Sequence, residues 1–581
     1  MVATLNGSPV PLGEIVPPGR ETSRLGGLIA GQAGVYAVVA CLSFRFDFRS
    51  DFLQRPIPLV LICLAIAYGL HLWSLCHVLQ SANQALVTRA ILLGAILYRV
   101  ILLPSLPIQE IDIYRYLWDG AVVADGGNPY RFSPHQVLSA SQQHDSSHSL
   151  NALVDLSLRS AACEEALRRI HYGELITVYP PVSQAVFGAV SFALPDSTSL
   201  YQRVVAMKVA LTLFDLVTVW LLLRILRRVR FHVGWAILYA WSPLVLKEFA
   251  NSGHLDSIAV CLTTAAVSCL LQPHRGSTTS SRLSWSVLSA VLLGWGVGAK
   301  LYPVVLIPVL VFWTVRKLGW RTGMAYCSVT LLSSLVSIGP MLLTEPAVIT
   351  LDQDSPPSIS NGQALDEVRA GSGLATFLSH WEINDLCFLV VVENLRPDPV
   401  SPPPTSTHWF VFLPNELRTG TAERLSQLLH RPIPEATFLT ARVITLLVFS
   451  AVAAVLLWRA SRRNQDEIWL RTVFLTVAWF WVLTPTLNPW YWTWALPFLP
   501  FAGRRAWTGV SLLVLAYYLR FWLLYQFPET EVLGTSYRGE PFFHFVVAPL
   551  EHGLWLIWLL SESLIFRQVW PPSQTGQTPS T

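Results

Sequence analysis

Apolar runs recur along the chain near residues 25–44, 57–79, 86–104, 204–223, 233–249, 257–272, 284–300, 301–315, 322–343, 437–458, 467–484, 489–502, 506–526 and 543–566, each bounded by polar residues or proline. A helix needs about 20 apolar residues to cross a bilayer. The pattern therefore predicts an all-α, polytopic transmembrane helical bundle of about 14 spans. A further apolar piece at 182–194, ending at Pro195, is too short to span. It reads as a re-entrant or interfacial helix that returns to the face it left, which is tolerable where it lines a protein cavity.

Two long polar stretches interrupt the runs. One occupies 105–203 and contains the short helix; the other is 344–436, with Pro397, Pro399, Pro402, Pro403 and Pro404. The chain divides accordingly into an N-terminal tail 1–24, a transmembrane module 25–343, the long loop 344–436, C-terminal transmembrane helices 437–566 and a tail 567–581.

Orientation follows from the arginines and lysines of the short loops. The clusters are Arg224-Arg227-Arg228-Arg230, Arg275 with Arg282, Arg316-Lys317-Arg321, Arg459-Arg462-Arg463 and Arg504-Arg505. Placing all of them in the cytoplasm makes every span from residue 204 onward alternate correctly. Both long loops then lie outside and both tails inside, as expected of a multi-pass protein of the inner (plasma) membrane. The loop 45–56, with Arg45, Arg49 and Arg55, runs against the rule. Arg20 and Arg24 precede the first run, which has no clear small-x-small cleavage site, so an uncleaved signal-anchor is expected.

Composition agrees with the pattern. The 581 residues are 52% apolar and 13% charged, with mean hydropathy +0.46. An average soluble domain is roughly 25% charged, and disorder needs low hydrophobicity with high net charge; both classes are excluded. The net charge of +4 is too small to suggest nucleic acid as a partner. The 23 Trp and 17 Tyr suit interfacial belts. Six of the eight cysteines lie in apolar runs, and no CxxC occurs; Cys163 and Cys387, in the two long loops, are the pair that could bridge outside the cytoplasm.

Polar residues gather at the outer ends of the spans. The first long loop opens with Glu110-Ile111-Asp112-Ile113-Tyr114-Arg115-Tyr116-Leu117-Trp118-Asp119-Gly120. As a helix, this string aligns Asp112, Arg115, Tyr116 and Asp119 on one face. A turn follows at Asn128-Pro129-Tyr130, and Tyr179-Pro180-Pro181 starts the short helix. Other outer turns are Asn251-Ser252-Gly253-His254-Leu255-Asp256, with Lys247-Glu248 just below it, Lys300-Leu301-Tyr302-Pro303 and Asn488-Pro489-Trp490-Tyr491; Arg442, Arg520 and Glu551 lie within two turns of the outer boundary.

A charge at mid-bilayer costs about 2.5–3.5 kcal/mol on insertion scales, less near the interface where long side chains snorkel. Singly, each of these residues has a structural explanation. His254-x-Asp256 alone reads as a satisfied turn, His135, His144, His148 and His171 lack metal-ligand spacing, and Asp215 is expected to pair with Lys208 of its own helix. Together they form a site at one face.

Outside the cytoplasm, polyprenyl-phosphate lipids can present an activated sugar. Transfer from one needs a base for the acceptor hydroxyl, cations for the departing phosphate and an apolar groove for the lipid tail. Asp112 can be the base, and Arg115, Lys300 and Arg520 are candidates for the phosphate clamp. The other class compatible with a bundle is a transporter or flippase of a lipid or small solute. That class expects ionisable groups near the midplane on broken helices in paired halves, and no inverted repeat stands out.

The Asp112–Gly120 string, with Asn128-Pro129-Tyr130 and Tyr179-Pro180-Pro181, resembles the GT-C superfamily of polyprenol-phosphate-sugar-dependent glycosyltransferases. Within it the likeness is to the bacterial mannosyltransferase-like group that includes glycosyltransferase family 87 and the actinobacterial α-1,6-mannosyltransferases. The turns Gly253-His254-Leu255-Asp256, Lys300-Leu301-Tyr302-Pro303 and Asn488-Pro489-Trp490-Tyr491 are similar to turns of that group; the likeness covers roughly 85–315 and 465–505. It implies inverting transfer of a sugar, mannose by expectation, from a polyprenyl-phosphate donor to a cell-envelope glycan or lipid. It also implies Asp112 as catalytic base, Glu110 as the competing acid, and Tyr116, Asp119, Asn128, Tyr130, Tyr179, His254, Asp256, Tyr302, Asn488 and Tyr491 as further substrate-binding candidates. No metal site is assigned, although the paired acids would permit a divalent cation. The chain departs from simpler members in the two spans before the one leading to the motif and in its long Pro-rich second loop.

Overall fold

Where an apolar run is long and unbroken, the chain forms one helix. The structure is a computed structural model that describes residues 18–141, 148–272, 279–347, 381–398, 408–463 and 465–565. Among these, every regular element is helical, with one isolated bridge between Ile383 and Thr486. The helices are α1 (Pro18–Ser43), α2 (Ile57–Val78), α3 (Gln84–Leu102), α4 (Asp112–Ala124), α5 (Pro134–Ala140), α6 (His148–Leu158), α7 (Ala161–Arg168), α8 (Pro181–Phe192) and α9 (Leu200–Arg228). After a broken stretch come α10 (Asp256–Leu270), α11 (Thr279–Ala299), α12 (Ile307–Leu318) and α13 (Trp320–Leu343). The second loop contributes α14 (Cys387–Glu393) and α15 (Asn415–Leu429); α16 (Ile433–Ser461), α17 (Asp466–Leu483), α18 (Ala506–Leu513), α19 (Leu519–Gln526) and α20 (Ala548–Ile565) complete the chain.

Among the described residues, eight helical stretches are long and apolar enough to cross a membrane: Thr22–Phe46, Phe52–Val78, Gln84–Leu102, Leu200–Arg228, Trp320–Leu343, Ile433–Ser461, Ala506–Gln526 and Gly539–Leu564. Of the other six apolar runs, two form single helices, Thr279–Ala299 and Asp466–Leu483, and the rest are shorter or broken. Residues 233–251 form a 3₁₀ turn, two short helices and a π turn, all buried. Residues 489–501 break the same way at Pro489, Pro497 and Pro500. Proline removes a backbone donor, and such backbone is stable at membrane depth only when protein surrounds it.

The first long loop is a folded cap. Trp118, Val122, Phe132, Val137, Leu150 and Leu167 form a small core of its own. α4 and α8 run side by side in the same sense: Tyr116 stacks on Phe187 at 4.6 Å, and Asp119 accepts from Gln184 at 2.9 Å. The crossing is closed at Gly120, where a Cβ would lie 2.5 Å from the Phe187 carbonyl oxygen.

Three expectations change. Asp215 does not pair with Lys208; it accepts from Arg99 Nε at 2.6 Å and from the Tyr239 hydroxyl at 2.7 Å. Seven helical residues separate positions 208 and 215, about 10 Å of rise, which is beyond contact. Lys208 instead donates to the carbonyls of Leu102 and Ser105 at 3.1 and 2.7 Å. Cys163 and Cys387 are both free thiols. Arg55, in the loop whose charge ran against the orientation rule, is buried, donates to Gln109 at 3.0 Å and lies over the Phe52 ring. Arg49 of the same loop meets Glu165 of α7 at 3.7 Å. These arginines serve the cap, so their number says little about sidedness. His144, Arg275, Pro399, Pro402, Pro403 and Pro404 lie outside the described residues.

Candidate active site

The segment that brings the acids into place is short and clipped at several points. Asn251 accepts from Ile108 N at 3.1 Å and donates to Ser105 Oγ and the Leu106 carbonyl, both at 2.8 Å. Gln109 follows with φ 64°, receiving Arg55 and donating to the Tyr525 hydroxyl at 3.1 Å. That left-handed turn aims Glu110 inward and starts α4 at Asp112. Gly253, at φ +72°, fits against the start of α4; a Cβ there would meet Ile113 Cδ1 at 2.9 Å. A left-handed backbone in close contact is a glycine position.

Around this start the turns singled out in the sequence converge. Asp256 accepts from Trp494 Nε1 at 2.6 Å and lies 3.5 Å from Lys300 Nζ. Lys300 sits over the Tyr491 ring at 4.9 Å and the Tyr179 ring at 5.9 Å. Ser183 of α8 holds the neighbouring Ala299 carbonyl at 2.8 Å. Tyr302 and Tyr491 both stack on Trp494, at 4.3 and 4.4 Å, and His254 stacks on Trp490 at 4.3 Å. Asp112 is half-buried, with Tyr179 and Lys300 within electrostatic reach. Asn488 is buried beside Tyr491.

A second, drier cluster lies behind Glu110. Lys247 donates to Tyr518, whose hydroxyl donates to Glu248 at 2.8 Å; Glu248 also meets His254 Nε2 at 3.3 Å and Lys247 at 3.4 Å. Glu110 is buried, and its Oε1 has no hydrogen-bond partner. Burial pushes its carboxyl well above the ordinary value; the Lys247 charge opposes this and the Asp112 charge adds to it. Arg520, ion-paired with Glu540, also acts on Glu110.

The remaining candidates are engaged elsewhere. Arg115 donates to Asp119 at 3.1 Å and to the Leu175 carbonyl at 2.9 Å. Tyr116 packs edge-on against Tyr179 at 5.0 Å, the Tyr130 hydroxyl donates to the Tyr179 carbonyl at 2.8 Å, and exposed Asn128 reaches Thr344 at 3.0 Å. These residues hold the cap and the Tyr179 turn in place. A cavity of about 550 Å³ opens beside the cap, lined by Arg49, Glu165, Arg169 and Asp196 among others; Asp112 is not on its wall. Among the described residues, no three His, Cys, Asp or Glu side chains group as metal ligands.

The sequence marks Lys247, Glu248 and Trp490 only as members of polar turns, with no assigned role, and does not mark Tyr518 or Trp494. Charges inside an apolar run are a functional signal by default, and Lys247-Glu248 carry it; Tyr518 and Trp494, on apolar segments, carry none.

Many apolar helices surrounding a polar site at one end make this a membrane protein with a buried, carboxylate-bearing site. Residues 170–316 match the model of the MptA_B family, described as alpha-(1->6)-mannopyranosyltransferase, N-terminal domain. The match spans about a quarter of the chain, so that segment is similar to a mannosyltransferase domain, in line with the mannosyltransferase-like group that the turns resemble. The matched segment includes Tyr179, His254, Asp256, Lys300 and Tyr302; Glu110 and Asp112 precede it. No curated protein and no solved structure matches the chain.

Proposed function

We propose that the protein is an integral membrane mannosyltransferase of GT-C type. It moves mannose, with inversion, from a polyprenyl-phosphate donor to a cell-envelope glycan or lipid on the extracytoplasmic face. The observation that carries this reading is the position of Asp112: half-buried at the first turn of α4, with Tyr179 and Lys300 within electrostatic reach, beside a segment that matches a mannosyltransferase family.

In the reaction, the acceptor oxygen bonds to the donor's anomeric carbon while its proton passes to the Asp112 carboxylate. The bond from that carbon to the phosphate oxygen breaks, and polyprenyl phosphate leaves. Lys300, held by Asp256 and the Tyr491 ring, is the cation for the leaving phosphate. Arg520, neutralised by Glu540, contributes less. Arg115 is a positioning residue through its pairing with Asp119. The spans supply the groove for the lipid tail.

Labelled polyprenyl-phosphate-mannose incubated with membranes from expressing cells tests the reading. Wild type incorporates label into acceptor, and Asp112→Asn binds donor but transfers about 10²–10⁴-fold less. Absence of incorporation from any lipid-linked sugar by intact protein overturns it. The broken helices at 233–251 and 489–501 favour one other reading, a lipid transporter or flippase; flipping with no glycoside product would establish that instead.

A further inference from the structure

The second long loop does not stand apart from the site. Its segment 381–386 enters the bundle: Ile383 N donates to the Pro485 carbonyl at 2.8 Å, and Leu487 N donates back to the Ile383 carbonyl at 3.0 Å. Asn384, fully buried with φ 53°, donates to the Leu487 carbonyl at 3.1 Å, and its own carbonyl meets His552 at 2.7 Å. Leu487 precedes the Asn488–Tyr491 turn of the candidate site, so this loop segment is pinned directly behind it.

The pinning places Trp381 against Tyr172 of the first loop, ring centroids 5.0 Å apart, and His171 meets Tyr172 edge-on at 4.1 Å. Tyr172 is held at φ 53°. A bulky residue in the left-handed region costs free energy and persists only where its surroundings enforce it. Asp112, Arg520, Glu540 and Glu174 all lie within electrostatic reach of the Tyr172 hydroxyl. Both rings are half-buried, and His171 is exposed. Half-open aromatic faces within electrostatic reach of carboxylates suit one ligand chemistry well. A neutral pyranose offers apolar C–H faces to the rings and hydroxyl donors to the acids.

We infer that Trp381 and Tyr172, one from each long loop, form the subsite that holds the acceptor sugar and presents its hydroxyl toward Asp112. The inference rests on the glycosyltransferase reading above and adds the class of acceptor, a neutral pyranoside glycan, together with a role for the second loop. Donor lipid is held elsewhere, among the spans.

The test uses the full-length protein in lipid nanodiscs with mannotriose as probe, binding being read by calorimetry and transfer by labelled polyprenyl-phosphate-mannose. Wild type binds mannotriose. Trp381→Ala and Tyr172→Ala weaken binding about tenfold, the effect of losing one ring contact, and raise the acceptor KM while the donor KM stays unchanged. Trp381→Leu keeps apolar bulk between the loops, so it preserves folding and still loses affinity; Trp381→Phe retains it within about threefold. Wild-type affinity in the Ala and Leu variants, or no mannotriose binding by wild type, overturns the subsite. Binding that depends on Trp381 in a protein without transfer activity leaves the subsite standing and removes the enzymatic reading alone.

Discussion

Arg115 and Asp119 are ion-paired at 3.1 Å one turn apart on α4, with side chains only 9% and 3% exposed. Their remaining bonds run to the Leu175 carbonyl and to Gln184. The pair is thus a staple that fixes the cap to the start of α8, and with it the Tyr179 turn beside Asp112.

Removing one partner leaves a buried charge alone, which costs about 3–5 kcal/mol. Asp119→Ala is expected to lower the thermal midpoint of the solubilised protein sharply. The double variant Arg115→Met/Asp119→Leu recovers most of that loss, as read by scanning calorimetry. Equal midpoints for Asp119→Ala and wild type would show that the staple carries no stability.

Gly120→Ala sets a Cβ 2.5 Å from the Phe187 carbonyl oxygen. Backbone cannot swing aside as a side chain can, so α4 and α8 must separate, at about 1–3 kcal/mol. Transfer activity is expected to fall at least tenfold, because Asp112 moves with α4, while Gly553→Ala, with open space around it, is silent.

Glu110 titrates above the usual carboxylate range because it is buried, with Lys247 opposing and Asp112 adding to the shift. Above the ordinary pKa of 4.5, the folded state keeps a proton that the unfolded state has released. Its contribution to stability is therefore full below that value and declines as pH rises through the raised one. Glu110→Gln is expected to flatten the fall of the thermal midpoint with rising pH. An unchanged slope would show that Glu110 is ionised in the fold.

Sidedness has a direct test. In a background with the native cysteines replaced, Ser141→Cys should react with an impermeant maleimide from outside intact cells, and Arg227→Cys and Arg462→Cys should not; all three positions are exposed. The reverse pattern would set Asp112 beside cytoplasmic nucleotide sugars and undo the donor assignment.

Much of the site was legible because polar residues in apolar surroundings are conspicuous. The Glu110–Asp112, Tyr179, His254–Asp256, Lys300–Tyr302 and Asn488–Tyr491 turns stood out on that ground, and they meet in the fold. Arg115 is equally conspicuous as a candidate for the phosphate clamp, and a sequence does not reveal that its charge meets Asp119 one turn away. Lys208 is the basic residue that the sequence offers Asp215 on its own helix, whereas its partner Arg99 lies on α3.

Hydrophobic periodicity, proline placement and charge sparsity determined that this chain is a helical membrane protein and where its polar turns fall, because those properties belong to each segment separately. Which turns meet, which charges neutralise one another, and how residues 381–386 come to lie behind the 485–491 turn were decided only in three dimensions. Most of those contacts join positions a hundred or more residues apart, and packing, not local preference, selects among them.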